Sequence, residues 1–526
     1  MVRKIAAAAV AALFVPLAQA ADTVSWEKLW TFTHGAATSV AGQTSEIVAF
    51  DSLNNELWVA GLKGVDILNA STGSFVQHID TTAWGELNSV AISNGVAAFA
   101  IAAPVKTNAG TVLTYNTTSR SQLNSYLVGA LPDMVTFTPD GRIMTANEGE
   151  PLVISSSVTQ EAQGSISIID TTQNVVTTLD FSAYDGTSGL GRIVTPGSQP
   201  SLDWEPEYIA VAKDGKSALV TLQEANAVAV IDLTTNSIAS VKSLGLKDYS
   251  LPQNAIDTSD RDGASNSALV GNYRTVPVKG MYMPDSIAAY SSGGKTFYVI
   301  ANEGDSRNLQ DFGGTFNEEI RVGSSSYKLD PTVFPDAADL KKNANLGRLT
   351  VTTSGGDLDG DGDYDEIHTF GGRSFSILDE NGNMVFDSGN ELEALLFADP
   401  ALRALIDDGR SDNKGVEPEG VTLLQVGGRT LAFIGFERTL DSVIAIYDVT
   451  NPNAATFLDF IVDADSLSPE GLSAFEYDGK LFLAVANEVS GTTSMFSITA
   501  VPEPETYAML LAGLGLIGLA AKRSRR

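Results

Sequence analysis

The chain has 526 residues, no cysteine and a formal net charge of −31 at pH 7. A surface this acidic repels nucleic acid and anionic lipid and attracts divalent cations, so a nucleic-acid-binding function is excluded. Without cysteine there is no disulfide framework. The stability of the fold therefore depends on the large core that a chain of this length can bury.

The N-terminal sequence MVRKIAAAAVAALFVPLAQA predicts a secretory signal peptide over residues 1–20. Arg3 and Lys4 precede a short apolar run, and Ala18-Gln19-Ala20 supplies the small residues of a cleavage site. A core helix is the disfavoured alternative, because the run is short and is charged on one side only. We expect an exported protein whose mature chain begins near Ala21.

Three short apolar runs recur along residues 21–500 and predict an all-β, seven-bladed β-propeller with long loop insertions. In residues 417–448 the runs are VTLLQV, TLAFIGF and SVIAIYD, rich in β-branched and aromatic residues and separated by turns. Matching units begin at residues 45, 87, 132, 206, 284, 418 and 469. The last unit lacks a fourth strand, whereas residues 26–35 form an unassigned run. We expect this N-terminal strand to complete the last blade and close the ring.

Insertions interrupt the later units at residues 150–163, 183–204, 246–282 and 305–372. Their content of Gly, Ser, Asn and Asp predicts surface loops, and loops of this length are uncommon unless they are functional. The longest, 305–372, falls within the fifth blade and is interpreted as a lid or subdomain. Between blades five and six, residues 390–409 have helical apolar spacing interrupted by Pro400, which predicts a short helix pair.

Carboxylates recur at two equivalent positions of the repeated units, the start of the first strand and the end of the second. The first set is Asp133, Glu207, Asp285, Glu419 and Glu470, with Glu46 and Asn88 in the first two units. The second set is Glu148, Glu224, Glu303, Glu437 and Glu488. Both positions lie on one face of an antiparallel blade, so we expect these acids to surround one mouth of the channel.

Closely spaced carboxylates raise each other's pKa, and a bound metal ion relieves their repulsion. Oxygen ligands, with no cysteine and three histidines, favour Ca²⁺ or Mg²⁺ over zinc or copper. We therefore predict a calcium site at the mouth. The alternative is that the acids cap strands or accept backbone hydrogen bonds in turns.

The sequence DLDGDGDYDE at 357–366 predicts a second calcium-binding segment, because five aspartates stand at alternate positions and Gly360 and Gly362 allow tight turns. The aspartates are Asp357, Asp359, Asp361, Asp363 and Asp365. The segment resembles the first nine positions of an EF-hand loop, but His368 stands where the bidentate glutamate belongs. Calcium would order the insertion; the alternative is a solvated acidic loop.

Few basic residues lie near the predicted mouth, and they are candidates for binding an anionic group such as phosphate. Arg307 and Arg438 follow second strands and Arg373 opens a third strand. The alternative is that they pair with adjacent carboxylates. The sequence has no G-x-S-x-G, Walker or H-E-x-x-H motif and only His34, His78 and His368, so a histidine-based triad is disfavoured and no catalytic residue is assigned.

Residues 501–526, VPEPETYAMLLAGLGLIGLAAKRSRR, join Pro-Glu-Pro to an apolar run and a basic end. This segment resembles the PEP-CTERM sorting signal of Gram-negative bacteria. The resemblance implies transient insertion of a C-terminal transmembrane helix into the inner membrane, removal of the tail by an exosortase, and delivery to the cell surface or exopolysaccharide matrix. A permanent single-span anchor is the alternative.

The choice-of-anchor I family of bacterial surface proteins is resembled by five segments: PDMVTFTPDGRIMTANEGEP, MPDSIAAYSSGGKTFYVIANEGDSR, DLDGDGDYDEIHTFGGRSFSILD, GVEPEGVT and LSPEGLSAF. That family is similar to the propeller regions of atypical alkaline phosphatases and phytase-like esterases. Two functions follow as expectations. One is a calcium-dependent phosphoesterase acting on a phosphoester substrate; the other is a non-catalytic surface or adhesion propeller that binds exopolysaccharide or another partner.

Overall fold

The computed structural model describes residues 23–155 and 158–501. The chain divides into a large compact unit, Trp26–Thr499, and a second unit made of residues 1–25 and 500–526, most of which lies outside the described residues. The predicted signal peptide and the apolar C-terminal run also lie outside them. None of the helices in the described part of the chain is long and apolar enough to cross a membrane.

Seven four-stranded antiparallel sheets make up most of the large unit, and we number them in chain order. Sheets 1 to 3 contain Val48–Asp51, Glu56–Gly61, Gly64–Asn69, Phe75–Asp80; Glu86–Ser93, Val96–Ala102, Ala109–Asn116, Gln122–Ala130; and Pro132–Phe137, Ile143–Asn147, Ser165–Asp170, Val175–Asp180. Sheets 4 and 5 contain Pro206–Val211, Ser217–Leu222, Ala227–Asp232, Ser237–Ser243; and Ile287–Ser292, Lys295–Asn302, Ser374–Asp379, Met384–Asp387. Sheets 6 and 7 contain Pro418–Val426, Arg429–Phe436, Ser442–Asp448, Thr456–Asp463; and Pro469–Tyr477, Lys480–Asn487, Thr492–Val501, Thr23–Thr33.

The core lies between successive sheets, because the middle strands of the sheets are buried along almost their whole length. Trp58, Phe99 and Leu113 form part of one cluster between sheets 1 and 2. Equivalent clusters join the later sheets, and strands of sheet 6 contact sheet 7. Sheet 7 in turn packs on sheet 1 through Met495 and Val48. The predicted all-β propeller class is confirmed.

The N-terminal strand occupies the edge of sheet 7, next to the strand Thr492–Val501. The backbone N–H of His34 donates to Gly491 O at 2.8 Å, and the Thr31 and Ser494 hydroxyls are 2.9 Å apart. The junction with sheet 1 is polar and buried: His34 Nδ1 and His78 Nδ1 each lie 2.7 Å from a carboxylate oxygen of Asp66. This strand therefore has the neighbour that the repeat pattern predicts for it.

Two insertions interpreted as surface loops, 246–282 and 305–372, instead share a five-stranded sheet. Its strands, in order, are Leu246–Asp248, Lys279–Met281, His368–Thr369, Thr350–Thr352 and Glu319–Arg321. It has its own core, which includes Tyr249, Val278, Leu349, Val351 and Ile367. The surface-loop prediction missed these strands because strands of two or three residues are too short to show an alternating pattern. The interpretation of 305–372 as a lid or subdomain is compatible with this sheet and its core.

The remaining elements are short. A two-stranded sheet pairs Leu152–Ser155 with Val158–Gln160. The α-helices are Pro200–Asp203, Ala337–Leu340 and Glu391–Ala398, and the 3₁₀ turns are Ser182–Tyr184, Pro252–Asn254, Ala264–Asn266, Leu309–Phe312, Arg403–Leu405 and Asp408–Arg410. The predicted helix pair at 390–409 is thus one helix followed by two 3₁₀ turns. Proline cannot continue a helix, so Glu391–Ala398 ends before Pro400.

Candidate metal and anion site

A β-bulge interrupts the first strand of several sheets at the position of the predicted acid. In sheet 3, Pro132 pairs with Asn147 and Met134 with Ala146, which leaves Asp133 outside the ladder. The same irregularity falls at the acids of sheets 4, 6 and 7, namely Glu207, Glu419 and Glu470. A bulge re-aims a side chain and is frequent beside functional sites. The bulges explain how acids at the ends of separate sheets can converge.

Acids of several sheets lie near enough to raise each other's pKa, and these effects involve all ten acids predicted at the mouth. Burial first, and then the charges of Glu148, Glu224, Asp133 and Asp285, hold the pKa of Glu207 well above its usual range. Burial and the charges of Glu437, Glu303, Glu470 and Asp285 do the same for Glu419. Burial and the charges of Glu46, Glu488, Asp285 and Asp133 do so for Glu470. We call this set, with Glu46, the acidic mouth.

One group of three carboxylates within the acidic mouth is compact and is surrounded by other acids. Asp133, Glu148 and Glu207 each place an oxygen within 4.8 Å of the other two. After burial, the charges that raise the pKa of Glu148 belong to Asp133, Glu150, Glu205 and Glu224. Burial and the charge of Glu150 raise the pKa of Asp133 to about 6. Lys106, a cation in the lining of the adjoining cavity, pairs with Glu150. Three carboxylate oxygens at this spacing suit Ca²⁺ or Mg²⁺.

A second group, Glu303, Glu417 and Glu437, meets the same distance criterion but includes its own cations. Lys414 Nζ lies 2.6 Å from Glu303 and 3.0 Å from Glu417, and Arg410 also pairs with Glu417. Burial raises the pKa of Glu437 to about 8, with the charge of Glu303 adding to the shift. A metal ion here would have to displace or lie beside the ammonium group of Lys414.

Some buried carboxylate oxygens of the described residues have no hydrogen-bond partner. They include Oε2 of Glu224, Glu419 and Glu470, all in the acidic mouth. An unpaired ionised oxygen in a buried position is costly, and a metal ion or a proton removes that cost. The donor set of the mouth therefore fits an oxygen-binding divalent cation.

Two cavities open beside these acids. One has a volume of about 670 Å³, and its lining includes Asp133, Glu148, Glu470, Glu488 and Lys106. The other has a volume of about 350 Å³ and combines acids such as Glu205 and Glu224 with three cations, Arg307, Arg410 and Lys414. The first cavity is predominantly acidic, whereas the second offers charges of both signs.

The predicted anion-binding arginines differ in how far they are already engaged. Arg307 is buried, with Nη1 2.7 Å from Asp203 and Nη2 2.6 Å from Glu205. Arg438 has a side chain 42% exposed and lies 2.6 Å from Glu437, so part of its guanidinium faces solvent. Arg373 is buried and donates to the carbonyls of Asp257, Ser411 and Asn413, which is a structural role. An anion role for Arg307 or Arg438 stays a prediction.

The aspartate loop lies on the insertion and is exposed. Asp357 accepts hydrogen bonds from the backbone N–H groups of Gly360 and Gly362, at 2.7 and 3.1 Å. Oxygens of Asp357, Asp359 and Asp361 lie within 4.8 Å of one another. Asp361 first, then burial and nearby acids of the same loop, raise the pKa of Asp359. His368 Nε2 lies 2.8 Å from Glu366, and calcium binding by this loop stays a prediction.

Sequence reasoning missed Glu417, Lys414, Glu205 and Arg410. A signal for the two glutamates was present, because Glu-Pro-Glu occurs at 205–207 and again at 417–419, at the start of sheets 4 and 6. The two cations carry no repeat signal, since they lie in the irregular segment before sheet 6.

The model of the choice-of-anchor I domain matches residues 46–452, which is most of the chain. The chain belongs to the choice-of-anchor I domain family. The model of the PEP-CTERM protein-sorting motif matches residues 500–526 and confirms the second resemblance. This choice-of-anchor I protein is thus exported and associated with the cell surface of a Gram-negative bacterium, and the motif implies processing by exosortase.

Two curated animal proteins are similar to this choice-of-anchor I chain. Gigasin-3a of Magallana gigas is 28% identical over 198 residues, covering 31% of this chain and 69% of that protein. The mesenchyme-specific cell surface glycoprotein of Strongylocentrotus purpuratus is 27% identical over 268 residues, or 44% of this chain. The match spans only 33% of the sea-urchin protein.

Solved structures are similar to the chain in fold alone. The hydrazine synthase of Kuenenia stuttgartiensis aligns over 88% of this chain and 97% of its own, with 13% identity and a TM-score of 0.46. The Cps50 (Swd1) β-propeller domain of Myceliophteria thermophila aligns over 90% of this chain and 100% of its own, with 10% identity and a TM-score of 0.44.

Proposed function

We propose that this protein is a cell-surface β-propeller whose acidic mouth binds a divalent cation, with Ca²⁺ preferred. The observation that carries the proposal is the group Asp133–Glu148–Glu207, whose oxygens lie within 4.8 Å of one another. The neighbouring charges named for Glu148 and Glu207 all belong to other acids. Calcium takes six to eight oxygen ligands, and the nearby Glu224 could add to these three.

We also propose that the seven sheets are seven blades of one closed ring. The packing of sheet 7 on sheet 1 and the pairing of the N-terminal strand with Thr492–Val501 support this arrangement. In a closed ring the first strands surround a central channel, which accounts for the convergence of acids from separate sheets.

Binding of an anionic ligand through the bound cation is the activity that we favour. The large acidic cavity beside Asp133 and Glu148 would repel an anion on its own. With calcium bound, the same surface presents a positive centre to carboxylate or phosphate groups. An acidic exopolysaccharide of the surface matrix is therefore the expected class of partner.

Hydrolysis of a phosphoric ester is the second candidate, and the smaller cavity favours it. That cavity places carboxylates beside Arg307, Arg410 and Lys414. When bound, a metal ion supplies polarisation of phosphate and activation of water. The cations of the chain would orient the ester and offset its negative charge.

The test is calcium titration calorimetry on the purified exported protein, with an assay on a phosphomonoester and a phosphodiester. The double variant Asp133→Asn/Glu207→Gln should lose a calcium equivalent, whereas Asp214→Asn, at an exposed hairpin, should not. Calcium binding without turnover supports the binding function. Turnover that is lost both in chelator and in the double variant supports the esterase. Unchanged calcium stoichiometry in the double variant refutes the proposed cation site.

A further inference from the structure

A separate group of buried carboxylates lies between the 246–282 insertion and the segment after helix Glu391–Ala398. A small cavity of about 10 Å³ marks the place, and its lining includes Asp257, Tyr273, Glu393 and Asp408. None of the acids of the acidic mouth lines it. This volume is about that of one water-sized sphere, so it accommodates a single water molecule or ion.

Asp408 is the least satisfied side chain of this group. It is 7% exposed, and both carboxylate oxygens are buried without a hydrogen-bond partner. Its own 3₁₀ turn is firmly held, since the Ser411 hydroxyl donates to Asp408 O at 2.7 Å. The carboxylate itself has no such partner, and it lies in a position where an unpaired charge is costly. Asp262 Oδ1 and the Tyr273 hydroxyl are also buried without partners.

Asp257 faces the same region and is held in place by backbone donors. It is 3% exposed and accepts from Asn272 N at 2.9 Å and from Ser259 N at 3.3 Å. The side-chain amide of Asn272 also donates to Asp262 Oδ2 at 2.6 Å. One residue therefore positions two of the aspartates.

The local cation does not balance these acids. Arg373 gives its Nη atoms to backbone carbonyls and lies 3.8 Å from Glu393. Burial, and then the charges of Asp257 and Asp262, raise the pKa of Asp408 to about 7. Burial and the charge of Asp262 raise the pKa of Asp257 to about 6.

We propose that Asp257, Asp262 and Asp408 bind one calcium ion that joins the insertion to the propeller. The donor set is oxygen only, which favours calcium over zinc or copper. Asp257 and Asp408 line the cavity, and Asp262 shares the partner Asn272 with Asp257. The three side chains are not among the groups whose oxygens lie within 4.8 Å of one another, so calcium would have to bring their carboxylates closer together as it binds. Asp257 and Asp262 belong to the insertion, and Asp408 belongs to the connection between sheets 5 and 6. The bound ion would therefore link the 246–282 insertion to the connection between sheets 5 and 6.

The test uses the purified exported protein with calcium chloride as the probe. Calorimetry compares wild type with Asp408→Asn and with a control, Asp336→Asn, whose side chain is exposed in the 305–372 insertion. We expect Asp408→Asn to lose one equivalent of bound calcium, or at least tenfold in affinity at one site, and Asp336→Asn to lose neither. Equal binding by all three proteins overturns the proposal.

Hydrogen exchange supplies a readout that distinguishes this site from the acidic mouth. Calcium should slow exchange in residues 257–262 and 406–412 of the wild type, and the effect should persist in the Asp133→Asn/Glu207→Gln variant. Should Asp408→Asn fail to fold, the wild-type exchange decides. No calcium-dependent protection in either segment overturns the proposal, whatever happens at the mouth.

Discussion

Two groups of three carboxylates lie in the same acidic region and differ in what balances their charge. Around Glu303, Glu417 and Glu437 the chain supplies Lys414 and Arg410. Around Asp133, Glu148 and Glu207 the named neighbours are further acids. Position in the repeat is therefore not enough to define a metal site. The irregular segment before sheet 6 supplies cations to one group, whereas a proton or an external cation would relieve the repulsion within the other.

The largest effect is expected from removing a cation of the Glu303 group. Lys414→Met leaves Glu303 and Glu417 without the ammonium that pairs with both, and breaking a buried pair costs about 3 to 5 kcal/mol. Urea unfolding in chelator should show this loss. Lys216→Met removes an exposed partner of Asp214 and should cost less than about 1 kcal/mol. Equal losses for the two variants would remove the distinction between the groups.

The next effect is the response of the wild type to metal. If the Asp133 group binds calcium, a concentration one hundred times Kd adds about 2.7 kcal/mol to the free energy of unfolding. Scanning calorimetry in chelator and in calcium at neutral pH should show a higher melting temperature in calcium. Magnesium serves as the comparison ion. Identical melting in all conditions would contradict metal binding by the folded protein.

A smaller effect should come from neutralising one acid of either group in chelator. Asp133→Asn should stabilise the protein by about 1 to 2 kcal/mol, because it removes like-charge repulsion that is not locally compensated. Glu303→Gln should instead destabilise it, because it removes an acceptor of Lys414. Urea midpoints measure both. Changes of opposite sign in the free energy of unfolding would support the difference between the two carboxylate groups. A change of the same sign in both variants would contradict it.

The smallest effect is the dependence on pH near neutrality. Glu437 has its pKa raised to about 8 in the folded protein, against 4.5 as its ordinary value. The folded state therefore holds this proton more tightly than the unfolded state. The contribution of this proton to the free energy of unfolding is fully present below pH 4.5 and is lost as the pH rises through 8. Between pH 7 and 8, Glu437 should contribute a fall of about 1 kcal/mol in chelator. Glu437→Gln should abolish that part of the slope.

Much of the fold and part of the site could be predicted from the sequence, for identifiable reasons. Second strands such as Val96–Ala102 are buried and continuously apolar, so they stand out between turns. The acids of the first strands recur next to proline, which made Asp133 and Glu470 visible. Lys414 could not be recognised from the sequence, because its contact with Glu303 spans 111 residues and has no counterpart in other repeats.

Long-range pairing also limited what the sequence could reveal about the insertions. Lys279–Met281 pairs in parallel with His368–Thr369, two segments too short to show a period. The partners of Arg307 were hidden for a similar reason, because Asp203 lies 104 residues away in another insertion. Local patterns identify strands, whereas contacts between irregular segments depend on the finished fold.

The N-terminal strand has a consequence for the order of events during export. Its partner strand comes near the end of the described chain: Thr31 meets Ser494 across 463 residues. During N-to-C translocation, the strand Thr23–Thr33 therefore cannot pair until Thr492–Val501 has also crossed the inner membrane. Contacts of such sequence separation form slowly, because the entropy of closing the loop is lost before the contact is gained. Until then both edges are open to foreign strands and proteases, so translocation speed sets how long the protein is vulnerable.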